Sequence, residues 1–215
     1  VSEIGCFGKV PAHGDFVWQG LPARFVTPWD HWLQEQLLAL KEDYPDDWLE
    51  VYLRGHMWRF LLRDDALGPE TWAGLILPSV DVVGRYFPFT IAAALPRHAP
   101  LAASVRALAP WLAHAENVAL EALTDTLAVE DVLEKLRENA LPETGERVRA
   151  ELPPAASLWC GQPDPQEYWT EHLVDSLIGH SFRVPCHWSH VDPQTDTGRY
   201  LLTEGFSSFD QLFTG

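Results

Sequence analysis

Cysteine is scarce in this chain. Cys6, Cys160 and Cys186 are the only three among 215 residues, too few and too scattered for a disulfide framework, and this usage fits a reducing compartment. Cations are scarce too. Fifteen Lys and Arg stand against 31 Asp and Glu, a formal net charge of −16 at pH 7. Nucleic acid and anionic membrane surfaces both demand clustered basic residues, so neither is an expected partner. No run of about 18 apolar residues occurs, so nothing is built to span a bilayer. The opening VSEIGCFGKV lacks the apolar core of a signal peptide. Repeats and low-complexity tracts are absent as well.

What is present is apolar and aromatic. The chain is 47% hydrophobic and holds ten tryptophans, enough to anchor a sizeable core. The acid is partly local, since Glu42, Asp43, Asp46, Asp47 and Glu50 lie close together. Such a cluster reads either as a solvated loop and helix start or as a docking face for a basic partner.

Glycines punctuate the start. Gly5, Gly8 and Gly14 enclose Lys9 and Pro11, ahead of Asp15-Phe16. The spacing predicts a short strand at Ile4–Lys9 and an irregular exit with positive φ at Gly8 and Gly14, Asp15 bonding back to loop amides. Thr27-Pro28-Trp29-Asp30 reads as a helix start. The helix then places Trp29, Trp32, Leu33, Leu37, Leu40 and Tyr44 on one face and stops at Pro45. A short helix is expected at Asp46–Leu53. Three apolar runs follow, Met57–Leu62, Trp72–Pro78 and Phe87–Leu95, joined by connections too short for helical crossovers. They predict antiparallel strands covered on both faces. From Leu101 to Ala140 two apolar stripes predict helices, the first with Pro110 as a kink. Residues 142–154 form a polar connector, taken as a surface loop of one domain spanning 1–215. A strand at Ser157–Cys160, a helix at Gln166–Ile178, a strand at Tyr200–Thr203 and a short helix after Ser208 complete the expectation.

Familiar catalytic patterns fail one by one. Gly8-Lys9 is followed by Val10 rather than a hydroxyl residue, and Glu3 stands where a phosphate loop needs its first glycine. The gaps between glycines also miss the dinucleotide pattern. No Gly-x-Ser-x-Gly elbow or His-Glu-x-x-His pair occurs, and no cysteine sits in an activating signature. Cys186-His187-Trp188-Ser189-His190-Val191-Asp192 gathers four potential metal ligands, but Pro185 and Pro193 bracket it as a loop, and it lacks the second half of a closed zinc site. No catalytic residue, metal or cofactor is therefore expected. The second unusual segment is Ser79–Phe89, where Gly84 supplies a turn and Asp81 and Arg85 are spaced for a salt bridge. The candidate partner-binding residues are Lys9, His13, Asp15, Asp81 and Arg85. Each can equally serve as a turn constraint.

The two segments carry a resemblance. Gly5-x-x-Gly8-Lys9-x-Pro11-x-x-Gly14-Asp15-Phe16, Trp29-Asp30-His31-Trp32-Leu33 and Ser79-x-Asp81-x-x-Gly84-Arg85-x-Phe87-Pro88 resemble the TagF (ImpM) family of type VI secretion-associated proteins from Gram-negative bacteria. Ser157-Leu158-Trp159 and the closing stretch with Gly205-Phe206 are similar to family elements too. The resemblance implies an α/β fold, a three-layer α-β-α sandwich around a mixed, largely antiparallel sheet. It implies a cytoplasmic, non-enzymatic regulator that represses the apparatus after translation by binding its forkhead-associated-domain scaffold protein. Thr195 or Thr197, in an acid-flanked stretch, is a candidate phosphorylation point for such a domain. An assembly chaperone of a secretion subunit is the alternative. A phosphate-handling enzyme using Lys9 and Asp15 is a more distant one.

Overall fold

In a computed structural model, the described residues are 3–97, 101–124, 127–142, 185–192, 197–206, 208, 209 and 212. They form strands β1 (Ile4–Gly8), β2 (Val17–Gln19), β3 (Trp58–Leu62), β4 (Thr71–Leu77), β5 (Phe89–Leu95), β6 (Pro185–Asp192) and β7 (Thr197–Glu204). The helices are α1 (Ala23–Asp43), α2 (Trp48–Arg54), α3 (Leu101–Thr124) and α4 (Val129–Glu138). The strands make one sheet in the order β2-β1-β5-β4-β3-β6-β7, and each neighbouring pair runs antiparallel.

The expected burial of both sheet faces follows from strand periodicity. Trp58, Phe60 and Leu62 of β3, Trp72 and Ile76 of β4, and Ala92 of β5 pack with Phe25, Trp29, Trp32 and Leu33 of α1. Their neighbours Leu61, Ala73, Leu75, Phe89, Ile91 and Ala93 point the other way, against Leu108, Trp111, Ala115 and Val118 of α3 and Val132 and Leu136 of α4. The result is the three-layer α-β-α arrangement. Trp29 is the hub of the first layer. Its ring lies 4.7 Å from Trp32 and 4.9 Å from Phe60, and its Nε1 donates to Thr90 Oγ1 at 3.0 Å. That bond satisfies the one polar atom that burial would otherwise leave costly.

Two expectations need correction. α1 begins at Ala23 with Pro22 as its cap residue, and Pro28 lies inside it. One missing N–H was outweighed by packing, because the extra turn buries Phe25 and Val26, with Phe25 4.5 Å from Trp72. The segment 186–192 is a strand rather than a loop. β3 binds it on one side and β7 on the other, and its prolines fall at or just beyond the strand ends, where a missing donor is tolerated. The expected strand at 157–160, the helix at 166–178 and residues 143–154 of the connector lie outside the described residues. Pro110 sits within α3.

Candidate functional site

β1 runs into the first loop at Gly8, whose φ is 127°. A Cβ there would fall 2.0 Å from the Pro88 carbonyl oxygen, so this glycine lets β1 press on the residue just before β5. The chain then turns at Val10–His13, closed by His13 N–H donating to Val10 O at 3.1 Å. Opposite lies the second loop, Ser79–Phe87, pinched by a β-bridge between Val80 and Tyr86 and turned at Gly84, φ 84°. Asp81 N–H donates to Arg85 O and Gly84 N–H to Asp81 O, both at 3.0 Å.

Asp81 is the knot between the two loops. Its Oδ2 accepts from Lys9 Nζ at 2.6 Å and from Arg85 Nε at 2.7 Å. Its Oδ1 accepts from the backbone N–H of Val83 at 3.0 Å and of Arg85 at 2.8 Å. Burial disfavours the charge, but the hydrogen bonds from Lys9, Arg85 and Val83 outweigh it and hold the carboxyl well below the usual carboxylate range. Lys9 is buried beneath Phe16, its Nζ 4.4 Å from the ring centroid, an additional attraction for a desolvated ammonium. Phe16 itself meets Phe87 edge-on at 4.8 Å. The backbone completes the lock: Ser79 Oγ donates to Lys9 O at 2.6 Å, and Tyr52 OH exchanges hydrogen bonds with Ser79 O and N–H at 3.0 and 2.8 Å.

The structure thus brings Lys9, Asp81 and Arg85 together, with Asp15 at the margin. Arg85 Nη2 donates to Gly14 O, capping a loop carbonyl, and lies 3.7 Å from Asp15 Oδ1. His13 joins through its backbone, its carbonyl accepting from Val82 N–H at 3.1 Å. Two details differ from expectation. Gly14 has no positive φ. Asp15 is fully exposed, and the carboxylate that binds loop amides is Asp81. Phe16, Val82 and Val83, which are not among the candidate partner-binding residues, stand exposed over the network. Two β-branched apolar residues beside a turn glycine were the available signal, since turns favour polar side chains there.

The metal-ligand types of β6 are dispersed by the strand. Cys186 and Trp188 face the α1 layer, and His187 points to the opposite face, near Leu101 and Val105 of α3. His190 stacks on His56 with ring centroids 4.0 Å apart, and its Nδ1 lies 3.2 Å from Met57 O. Among the described residues no group of three or more His, Cys, Asp or Glu is placed to hold a metal ion. No helix among them is long and apolar enough to cross a membrane. Thr197 opens β7, and Thr195 lies outside the described residues.

The geometry is that of a tied surface knuckle, with its strongest charges spent on each other. A family model described as the TagF N-terminal domain, type VI secretion system-associated, matches residues 5–139, which include both loops. The chain belongs to the TagF family. TagF N-terminal domains are non-enzymatic and regulatory, and this one is type VI secretion-associated. The chain is also similar to the crystal structure of PA0076 from Pseudomonas aeruginosa PAO1, with a TM-score of 0.75 and 30% identity over 94% of this chain and 89% of that one. Comparison with curated proteins finds no match.

Proposed function

We propose that this chain is a cytoplasmic post-translational repressor of a type VI secretion system, and that it acts by binding the system's forkhead-associated-domain scaffold protein. The observation that carries the reading is the family match across both loops. The loop chemistry supports binding over catalysis. Lys9 and Asp81 are buried partners of one another, so the lysine is covered where a phosphate would need it. Repression by sequestration needs a difference in affinity between partner states, and tenfold restraint corresponds to about 1.4 kcal/mol of it. Residues 1–215 are read as one domain, supported by the pairing of β6 on β3.

The test is direct. Purified chain is titrated into purified scaffold protein by calorimetry, and secretion is measured in cells with and without the gene. Saturable binding together with raised secretion in the deletion strain is expected. Absence of binding at micromolar concentrations, with a stable complex formed instead with an apparatus subunit, would replace repression with an assembly chaperone role.

A further inference from the structure

Phe16, Val82 and Val83 are 50%, 65% and 66% exposed. They belong to loops that touch at Gly14, where an added Cβ would sit 3.6 Å from Val82 Cγ1 and whose carbonyl accepts from Arg85. Apolar side chains gathered on one tip mark an interaction surface far better than scattered ones. This tip is also held in place. Val83 N–H is bound by Asp81, Val82 N–H by His13 O, and Phe16 by the Phe87 and Lys9 contacts. A rigid tip loses little freedom on binding.

Its flanks are acidic. On one side Tyr86 packs edge-on to Trp48 at 6.2 Å, which sets the knuckle beside the α1–α2 connection. There Glu42, Asp43, Asp46, Asp47 and Glu50 are exposed against Lys41 and Arg54. On the other side Gln19 Nε2 donates to Glu130 Oε1 at 3.1 Å, which sets exposed Glu130 and Asp131 beside β2, the strand that the first loop leads into. An anionic lipid surface would be repelled by both flanks, and a second copy would set acid against acid.

We propose that Phe16, Val82 and Val83, with Arg85 and Asp15 at their shoulder, form the face by which this chain grips a protein partner, and that the partner presents an apolar groove rimmed by lysines or arginines. This rests on the reading of the chain as a binding regulator. The test is arranged so that the two can fail separately. Val82→p-benzoylphenylalanine and Val83→p-benzoylphenylalanine are photo-crosslinked in the native cell beside Leu38→p-benzoylphenylalanine, an exposed position on α1. The cross-linked peptides are sequenced. The captured protein and the purified scaffold protein are then each titrated with wild type and with the Val82→Asp/Val83→Asp double variant, at low and high salt.

Cross-links at 82 and 83 but not 38 are expected, to one protein, in an apolar stretch flanked by Lys or Arg. Its affinity should fall on the order of tenfold or more in the double variant and weaken with salt. If the scaffold fails to bind but another protein meets these criteria, the repressor reading falls and the docking face stands. If the scaffold binds the double variant within about twofold of wild type and without salt dependence, the docking face falls alone. Cross-links to a second copy, to lipid or to nothing also overturn it.

Discussion

Replacing Gly8 by alanine is expected to destabilise the protein severely, whereas Gly14→Ala is expected to be almost silent. At Gly8 the added Cβ would lie 2.0 Å from the Pro88 carbonyl oxygen and 3.0 Å from Phe89 Cα. Both are backbone atoms, one of the residue just before β5 and one of the first residue of β5, with which Gly8 pairs, so no side chain can swing aside. Relief needs a displacement of about 1 Å between neighbouring strands, an overpacking cost of about 1–3 kcal/mol. Holding an L-residue at φ 127° adds about 1–3 kcal/mol. The sum, about 2–6 kcal/mol, is a large share of the roughly 5–15 kcal/mol that stabilises a domain. At Gly14 the nearest atom is Val82 Cγ1 at 3.6 Å, an ordinary contact, and φ is unremarkable. A change within about 0.5 kcal/mol follows. Urea unfolding followed by fluorescence of the buried tryptophans reads both, through a shift in midpoint at constant slope. A loss below about 1 kcal/mol for Gly8→Ala, or equal losses for the two variants, would refute the reasoning.

Three further outcomes are expected. The Asp81 carboxyl titrates lower folded than unfolded, so its contribution is complete above the unfolded value near 3.8 and is lost as pH falls below it; the stability gap between wild type and Asp81→Asn should therefore narrow from pH 7 to pH 3 in urea titrations. Burial pushes the Cys6 and Cys186 thiols up to about 12, so in a Cys160→Ser background the folded chain should resist iodoacetamide at pH 8 and react at both sites once denatured, as intact mass will show. Arg59 of β3 holds Glu116 of α3 through two bonds at 2.7 and 2.6 Å; Arg59→Met should cost about 1–2 kcal/mol by urea unfolding, with Arg59→Lys restoring only part, because an ammonium cannot reproduce the fork.

The central strands were legible because β3, β4 and β5 are apolar on both faces, and short connections leave antiparallel pairing as the simple solution. α3 and α4 were legible from their stripes. The start of α1 is not legible locally: capping signals at Thr27-Pro28 compete with the burial of Val26 and of Phe25 against Trp72, a tertiary effect. β6 is hidden for a related reason: it owes its extended form to neighbours on both sides rather than to its own His- and Cys-bearing sequence. The candidate site shows the same division. The Asp81–Arg85 pair lies within one loop and could be anticipated from spacing. The Lys9–Asp81 bond joins residues 72 apart, and no local pattern announces it. The exposed valines carry only a weak signal of their own in the sequence, because their meaning depends on what lies beneath them.

The family match stops at residue 139, yet the sheet does not. β6 covers the free edge of β3, Trp188 lies 5.8 Å from Trp32 and 5.9 Å from Phe60, and the Trp58 indole donates to Leu212 O at 2.5 Å. A fragment ending where the family signature ends would bare an unpaired strand with an aromatic floor, the kind of template on which chains stack into aggregates. The last strands therefore act as a guard for a core begun far upstream, and the shortest well-behaved fragment is set by that guard rather than by the extent of the recognisable motif.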